Sequence, residues 1–236
     1  MPTFPSDDSL CERCGYPLRG LSRVGACPEC GLAIAESDPA RRTGLPWQNH
    51  ISLSSFLRTT AMICLQPGQS FGILRLGGSR GRDRLYLLLF AFFCSAVWAG
   101  AWVGYPGHDL ALRLTLVPPA VLVLTYVEAL GVAWFSRRRG WRVSWAMAER
   151  VACYASIAWL PATLLCAIVA HAADRNAIQN RWPHWLGPWS PEKDLLLMSL
   201  VGGIAILWFE SLVWLGVRQV KYANTSHSEG NRDEHG

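Results

Sequence analysis

The sequence predicts an all-α polytopic membrane protein with four transmembrane helices and a small N-terminal zinc ribbon. Four long apolar runs lie between residues 85 and 217, and each can form a helix that spans a bilayer. Four cysteines lie between residues 11 and 30 in two C-x2-C pairs. The chain of 236 residues is 51% hydrophobic, yet its mean hydropathy is only +0.17, because mixed residues 1–84 precede the apolar part. We therefore expect two unlike regions in one chain.

The zinc ribbon is predicted for residues 1–33. Residues 11–31 read CERCGYPLRGLSRVGACPECG, and each C-x2-C turn can hold two sulfurs on one side of a metal ion. A redox role for these pairs would need a thioredoxin-like βαβ context, which the twelve intervening residues cannot supply. We expect a short hairpin between residues 16–21 and 23–26. Four thiolates complete the tetrahedral shell of a structural Zn²⁺, which we predict as the cofactor, with the ligands Cys11, Cys14, Cys27 and Cys30.

Zinc ribbons contact nucleic acid or protein, and the charge of this ribbon separates the two cases. Its three arginines face two glutamates, a local balance of +1, and Tyr16 is the only aromatic residue between Cys11 and Gly31. A ribbon that binds nucleic acid usually carries a basic stripe with aromatic side chains for stacking. Nucleic acid is therefore an unfavoured partner, and we expect a protein contact or a purely structural role.

The region between the ribbon and the first apolar run is predicted as a linker, residues 34–50, followed by amphipathic membrane-surface helices, residues 51–84. Apolar side chains recur at helical spacing from Leu53 to Cys64, and Pro67-Gly68 ends that helix. The helix is short and contains Arg58, so we expect it to lie on the membrane face rather than to cross. Packing on the domain itself explains the same pattern.

The four spans are predicted at residues 85–105, 114–136, 151–171 and 195–217, and a polar tail, residues 219–236, closes the chain. The first run, Leu85 to Val103, contains no charged residue and no proline. At about 1.5 Å per residue it is about 29 Å long, close to the thickness of the hydrocarbon core of a bilayer. Pro118-Pro119 and Pro161 interrupt the second and third runs, which membrane helices tolerate.

Arginine indicates the orientation of these spans. Clusters precede span one, separate spans two and three, and follow span four, whereas the loop between spans one and two contains only Arg113. The positive-inside rule then places both termini, and with them the ribbon, in the cytosol of a multi-pass protein of the cell (inner or cytoplasmic) membrane. Free thiolates are compatible with that compartment.

Two carboxylates lie inside predicted spans. Glu128 lies nine residues before Arg137, and Glu210 lies eight residues before Arg218, so both are expected at nearly one depth. A charge at that depth costs at least ~2.5–3.5 kcal/mol on insertion scales, which makes Glu128 and Glu210 a possible intramembrane polar site. The alternative is that each is protonated, or hydrogen-bonded to a neighbouring helix, without any functional role.

Three stretches resemble the Yip family of polytopic membrane proteins. They are LQPGQSFGILRL before span one, WAMAERVACYASIAWLP at span three and WFESLVWLGVRQVKYANTS at the end of span four. The ribbon CERCGYPLRGL…CPECG resembles the N-terminus of many uncharacterised bacterial membrane proteins. Yip proteins typically have five spans, against the four counted here. The resemblance implies a helical membrane fold, and for eukaryotic members a role in vesicle trafficking, but it assigns no activity to bacterial relatives.

These features leave three functional hypotheses. The first is a non-enzymatic membrane scaffold or organiser, whose cytosolic ribbon contacts a partner. The second is a small transporter or channel component that uses Glu128 and Glu210. The third is a ribbon that tethers nucleic acid to the membrane. An enzyme is the least favoured class, because the sequence contains no Ser/His/Asp set, HExxH motif or phosphate-binding loop.

Overall fold

The computed structural model describes residues 7–100, 110–174 and 191–225, and within these ranges the regular structure is helical. The N-terminal part contains 3-10 turns at Ile34–Ser37 and Pro39–Arg41 and three short helices. Longer helices follow. In chain order the helices of the described ranges are α1 (Pro46–Asn49), α2 (Leu53–Leu65), α3 (Pro67–Gly72), α4 (Gly81–Gly100), α5 (Leu110–Arg138), α6 (Trp145–Ala155), α7 (Trp159–Asp174) and α8 (Pro191–Val220).

Three of the described helices are long and apolar enough to cross a membrane. They are Gly81–Gly100, Thr115–Arg138 and Ser199–Val220. These helices coincide with the first, second and fourth predicted spans, although residues 101–105 of the first lie outside the described part of the chain. The apolar runs therefore identified these three helices from composition and length alone.

The third predicted span, residues 151–171, is not one helix. Helix α6 ends at Ala155, a 3-10 turn covers Ser156–Ala158, and α7 begins at Trp159. Pro161 explains this break, because it has no N–H to donate to the carbonyl of Ile157 and its ring collides with that group in an α-helix. The described residues thus contain three long apolar helices, and the predicted third span is divided between α6 and α7.

The chain divides into two compact units. The first contains residues 1–86, 126–155 and 213–236, and the second contains residues 87–125 and 156–212. The first unit combines the four cysteines and α1–α3 with the start of α4, the end of α5, all of α6 and the end of α8. The second contains the rest of α4, the first part of α5, the first part of α8, and α7. In it, the rings of Trp159 and Phe209 lie 5.0 Å apart between centroids.

Helix α6 is the most buried element of the first unit. Every residue from Met147 to Ala155 is buried, including the adjacent charged pair Glu149 and Arg150. The end of α8 approaches it closely at Gly216, where a Cβ atom would lie 2.5 Å from Cγ1 of Val151. Glycine is needed at this point because any side chain would displace α6.

The predicted linker, residues 34–50, contains the two 3-10 turns and α1, and several of its side chains are buried. Leu45 and Trp47 have 0% and 2% of their surface exposed. The ring of Trp47 makes edge contacts with Phe56 of α2 and Tyr86 of α4, at centroid distances of 5.7 and 6.0 Å. These aromatic contacts hold α1 and α2 against the start of α4 within the first unit.

Candidate metal centre and its buried supports

The two cysteine pairs have the same backbone geometry, offset by sixteen residues. The amide of Gly15 donates to the carbonyl of Cys11 at 2.8 Å, and the amide of Gly31 donates to that of Cys27 at 2.9 Å. Both glycines have positive φ, 81° and 72°, which a residue with a Cβ adopts at a cost. Each C-x2-C-G segment is therefore a tight turn of the kind that wraps a metal ion.

A single bridge closes each turn on itself. The bridges join Leu10 to Pro17 and Ala26 to Ala33. The hairpin predicted between residues 16–21 and 23–26 is wrong, because each of these segments pairs with the other side of its own cysteine turn. Leu18 and Ile34 occupy equivalent positions sixteen residues apart, and both are buried beside the cysteines. They form the small apolar core that the two turns share.

The four sulfurs of the turns converge on one point. The Sγ atoms of Cys11 and Cys30 lie 3.5 Å apart, those of Cys14 and Cys27 lie 3.6 Å apart, and all four lie within 4.8 Å of one another. Tetrahedral coordination with metal–sulfur bonds of about 2.3 Å needs sulfurs about 3.8 Å apart, so the set fits a closed four-thiolate site. The predicted ligand residues are thus brought together as a cluster able to hold a metal ion.

Backbone amides point at the sulfurs of this cluster. Burial raises the pKa of the Cys27 thiol, but hydrogen bonds from the amides of Cys30 and Glu29 and from neighbouring thiols outweigh it and bring the pKa to about 7. A thiol that loses its proton near neutral pH is prepared to act as a metal ligand, since the thiolate is the binding form. Burial raises the pKa of the Cys11 and Cys14 thiols, so this electrostatic assistance applies to Cys27 and not to those two ligands.

Glu12, between the first two cysteines, anchors the cluster to the rest of its unit. Its carboxylate accepts hydrogen bonds from Nη2 of Arg42 at 2.7 Å and from the amide of Asn224 at 3.1 Å. The Arg42 side chain is only 5% exposed. Arg42 also donates to the carbonyls of Gln219, at 2.8 Å, and Gly72, at 3.1 Å. One guanidinium thus joins the first cysteine turn to the ends of α8 and α3.

Asn224 binds the ribbon backbone in the manner of a strand partner. Its Oδ1 accepts from the amide of Leu10 at 2.9 Å, and its Nδ2 donates at 2.8 Å to the carbonyls of both Leu10 and Ser37. Two residues earlier, the ring of Tyr222 lies against Gly15, where a Cβ atom would be 2.9 Å from it. The segment after α8 is therefore fixed directly to the first cysteine turn.

A second buried cluster joins α4 to α6. Nε of Arg150 donates to Asp83 at 3.0 Å, and both side chains are almost fully buried, with 2% and 3% exposed. Asp83 also accepts from the hydroxyl of Tyr154 at 2.7 Å and from Nε2 of Gln48 at 3.1 Å. Arg150 reaches the carbonyls of Arg75 and Gly78 as well. Both charged groups are therefore hydrogen-bonded to polar partners inside the first unit.

Glu149 makes a parallel contact beside this pair. Its carboxylate accepts from Nε of Arg84 at 2.7 Å, from Nη1 of Arg80 at 3.1 Å and from the hydroxyl of Tyr126 at 3.3 Å. Burial alone would raise the pKa of Glu149, but the hydrogen bonds and charges of Arg84 and Arg80 outweigh it and hold that pKa below its usual value. Glu149 is therefore ionised at neutral pH.

The predicted intramembrane pair is divided between the two units. Glu128 lies in the part of α5 that belongs to the first unit, where it is half-buried and interacts with other groups. Glu210 lies in the part of α8 that belongs to the second unit, and its side chain is exposed. Their pairing stays a prediction.

The arginines beside the apolar runs, Arg150 among them, are predicted from the sequence as topology signals, and Arg42 is predicted to lie in the linker. Buried partners are predicted for neither. Arg42 and Arg150 are nearly inaccessible, and their carboxylates lie thirty or more residues away in the sequence. One feature of the sequence does indicate buried ion pairs. Asp83 is the only acid among the arginines that precede span one, and the adjacent Glu149-Arg150 lies at the start of span three, so matched opposite charges flank two apolar runs.

No protein-family model, no curated protein and no solved structure matches this chain. These comparisons identify no family, and the resemblance to the Yip family has no support from them. The findings describe a helical protein with three membrane-span candidates and an N-terminal cluster of four cysteines.

Proposed function

We propose that this chain is a non-enzymatic integral membrane protein, a scaffold whose cytosolic zinc ribbon holds a protein partner. The observation that carries this proposal is the closed four-cysteine cluster, fixed by Arg42 and Asn224 to the ends of two other helices. A four-thiolate site leaves no coordination position for substrate, so its role is to build a rigid surface. A surface fixed in this way holds a bound partner at a set position beside the membrane.

The orientation follows from how charge is divided between the two units. The first unit contains the ribbon and every helix end that the positive-inside rule assigns to the cytosol. Its described residues include seventeen Arg and Lys against nine Asp and Glu, whereas those of the second unit include two against four. This asymmetry supports cytosolic termini, with α7 as the fourth crossing of the inner membrane.

Zinc is the metal we propose for the cluster, because four thiolates at tetrahedral spacing favour it over metals that prefer oxygen ligands. Metal analysis of the purified full chain should find one zinc ion per chain. Cys27→Ser removes a buried ligand and should abolish that stoichiometry, whereas Cys64→Ser, an exposed cysteine of α2, should leave it unchanged. Retention of zinc by the Cys27→Ser variant would contradict the assignment.

The partner surface we propose is the exposed part of the ribbon at and before the second cysteine turn. Val24 is 96% exposed, and Ala26 and Pro28 of the second cysteine turn are also exposed. Cross-linking in cells should attach a protein at this surface, and Val24→Asp should abolish the adduct. Thr43→Asp places the same charge at an exposed position outside the ribbon and should preserve it. An adduct that survives Val24→Asp would exclude this surface.

A further inference from the structure

We propose that α2 lies on the surface of an anionic lipid bilayer, with its exposed apolar side chains among the acyl chains and Arg58 at the headgroups. The feature that leads to this proposal is the juxtaposition of an uncovered leucine stripe with arginines bound to neutral oxygens, beside the start of α4. The proposal requires neither the metal ion nor a protein partner.

The inner face of α2 is fixed, so its outer face cannot turn inward. The hydroxyl of Thr59 accepts from the amide of Trp47 at 3.0 Å, and the hydroxyl of Thr60 lies 2.9 Å from that of Tyr86. Ile63 on the same face is fully buried. Ser52 caps the helix by accepting from the amide of Ser55 at 3.1 Å. Polar and apolar contacts together set the rotation of the helix about its axis.

The outer face of α2 is apolar and uncovered. Leu53, Leu57 and Leu65 are 75%, 56% and 80% exposed, and Ala61 between them is exposed as well. Residues four apart follow one side of a helix, so these four side chains form a continuous stripe. Arg58 is the only charged residue of α2 and lies at the edge of this stripe. Apolar side chains with a long cation at their margin are typical of an interfacial helix.

The position of this stripe favours lipid as the group that covers it. The two residues that contact α2, Trp47 and Tyr86, connect it to the first turns of α4, which is a span candidate. Nε1 of Trp47 donates to the carbonyl of Arg82 at 2.7 Å, and Tyr86 belongs to α4 itself. Helix α2 is thus held beside the point where an apolar span begins, which is the level of the headgroups and upper acyl chains.

The charges around α2 favour anionic headgroups. The exposed guanidinium of Arg75 donates at 2.8 Å to the carbonyl of Thr43 and the side-chain oxygen of Asn49. That of Arg82 donates to the carbonyls of Gln48 and Asn49. Acceptors of this kind orient a guanidinium without neutralising it, so the positive charge stays available to phosphate groups.

Photocross-linking of the full chain tests the lipid contact. The photoreactive residue p-benzoylphenylalanine replaces Leu57 in one sample and Val24, which is exposed on the ribbon, in the control. Each protein is reconstituted in phosphatidylcholine vesicles with or without phosphatidylglycerol. We expect a lipid adduct from position 57, in higher yield when phosphatidylglycerol is present, and no lipid adduct from position 24. Arg58→Gln should reduce the excess in phosphatidylglycerol while preserving the adduct.

Two results would overturn the proposal. If position 57 forms an adduct with a second copy of the chain, protein rather than lipid covers the stripe. If position 57 forms no adduct, nothing covers it. Equal yields in the two kinds of vesicle would reject the anionic headgroups. Failure of either kind leaves the partner surface at Val24 untouched, so it is distinguishable from failure of the proposed scaffold function.

Discussion

At the scale of single residues, the contribution of each buried carboxylate to stability depends on whether its arginine partner can reach water. Arg150, the partner of Asp83, is 2% exposed and cannot reach solvent if that partner is lost. Arg80 and Arg84, the partners of Glu149, have 34% and 49% of their side chains exposed and can turn outward. Two ion pairs that are neighbours along α6 should therefore respond differently to the same type of substitution.

We predict that Asp83→Asn destabilises the protein more than Glu149→Gln. The first change leaves a buried guanidinium unpaired, at a cost of ~3–5 kcal/mol. The second removes charge-assisted hydrogen bonds whose donors can be rehydrated, at a cost of ~1–3 kcal/mol. Thermal unfolding in detergent measures both, with Glu36→Gln, an exposed site, as the control expected to have almost no effect. Equal losses for the two variants would contradict the argument from water access.

The pH dependence of the Glu149 effect has a definite sign. Arg84 and Arg80 outweigh burial and hold the pKa of Glu149 below its ordinary value of 4.5 in the folded protein. A depressed folded-state pKa stabilises the protein above the unfolded-state value, and this contribution disappears as the pH falls through the folded-state value. The stability difference between the wild type and Glu149→Gln should therefore be constant at neutral pH and decrease only below about pH 4.5.

At the scale of elements, the sequence predicted the features that depend on local composition and spacing. Helices α4, α5 and α8 follow from long, mostly apolar sequence, and the cysteine cluster follows from the spacing of two short turns. The break between α6 and α7 depends on Pro161, which membrane helices often tolerate as a kink, so its effect depends on tertiary surroundings. The hairpin prediction was wrong because each cysteine turn completes its backbone hydrogen bonds locally.

The contacts that support the cluster could not be predicted, because they join residues distant in sequence. Asn224 lies 214 residues from Leu10, and nothing in either local sequence indicates the other. Arginine beside an apolar run has two physical roles, as a topology signal and as a buried partner, and composition does not separate them. Arg150 has the second role, and Arg42 of the predicted linker is a buried partner as well.

We predict that Asn224→Ala releases the segment after α8 from the ribbon. The variant leaves the amide and carbonyl of Leu10 and the carbonyl of Ser37 without their partner, at a cost of ~1–3 kcal/mol. Amide hydrogen exchange over residues 219–225 should become faster, and removal of the metal from the wild type should have the same effect. Thr225→Ala changes the exposed neighbour and serves as the control. Unchanged exchange in Asn224→Ala would show that the segment is held elsewhere.

At the scale of the whole molecule, the two intramembrane glutamates test the transport hypothesis. If Glu128 and Glu210 share a site, glutamine at one position keeps the shape and hydrogen-bonding capacity of the side chain, so a single Gln substitution should preserve assembly. Lysine at either position should impair insertion or assembly, because it adds a charge that the site cannot accommodate. Expression and detergent-extracted monodispersity measure this. Ion uptake by vesicles that is lost in Glu128→Gln would support transport, whereas tolerance of both lysine variants would exclude a shared site.

We expect the orientation in the membrane to follow the distribution of arginine. The proposed crossing by α4, α5, α7 and α8 would give an even number of spans, so both termini should lie on one side, which the positive-inside rule predicts to be the cytosol. Reporter fusions at residues 140 and 225 should both report the cytosol, and a fusion at residue 180 should report the outer side. An outward-facing fusion at 225 with a cytosolic one at 140 would require an odd number of crossings after α5. Arg42 and Asn224 tie the end of α8 to the ribbon, so that result would also contradict a cytosolic ribbon.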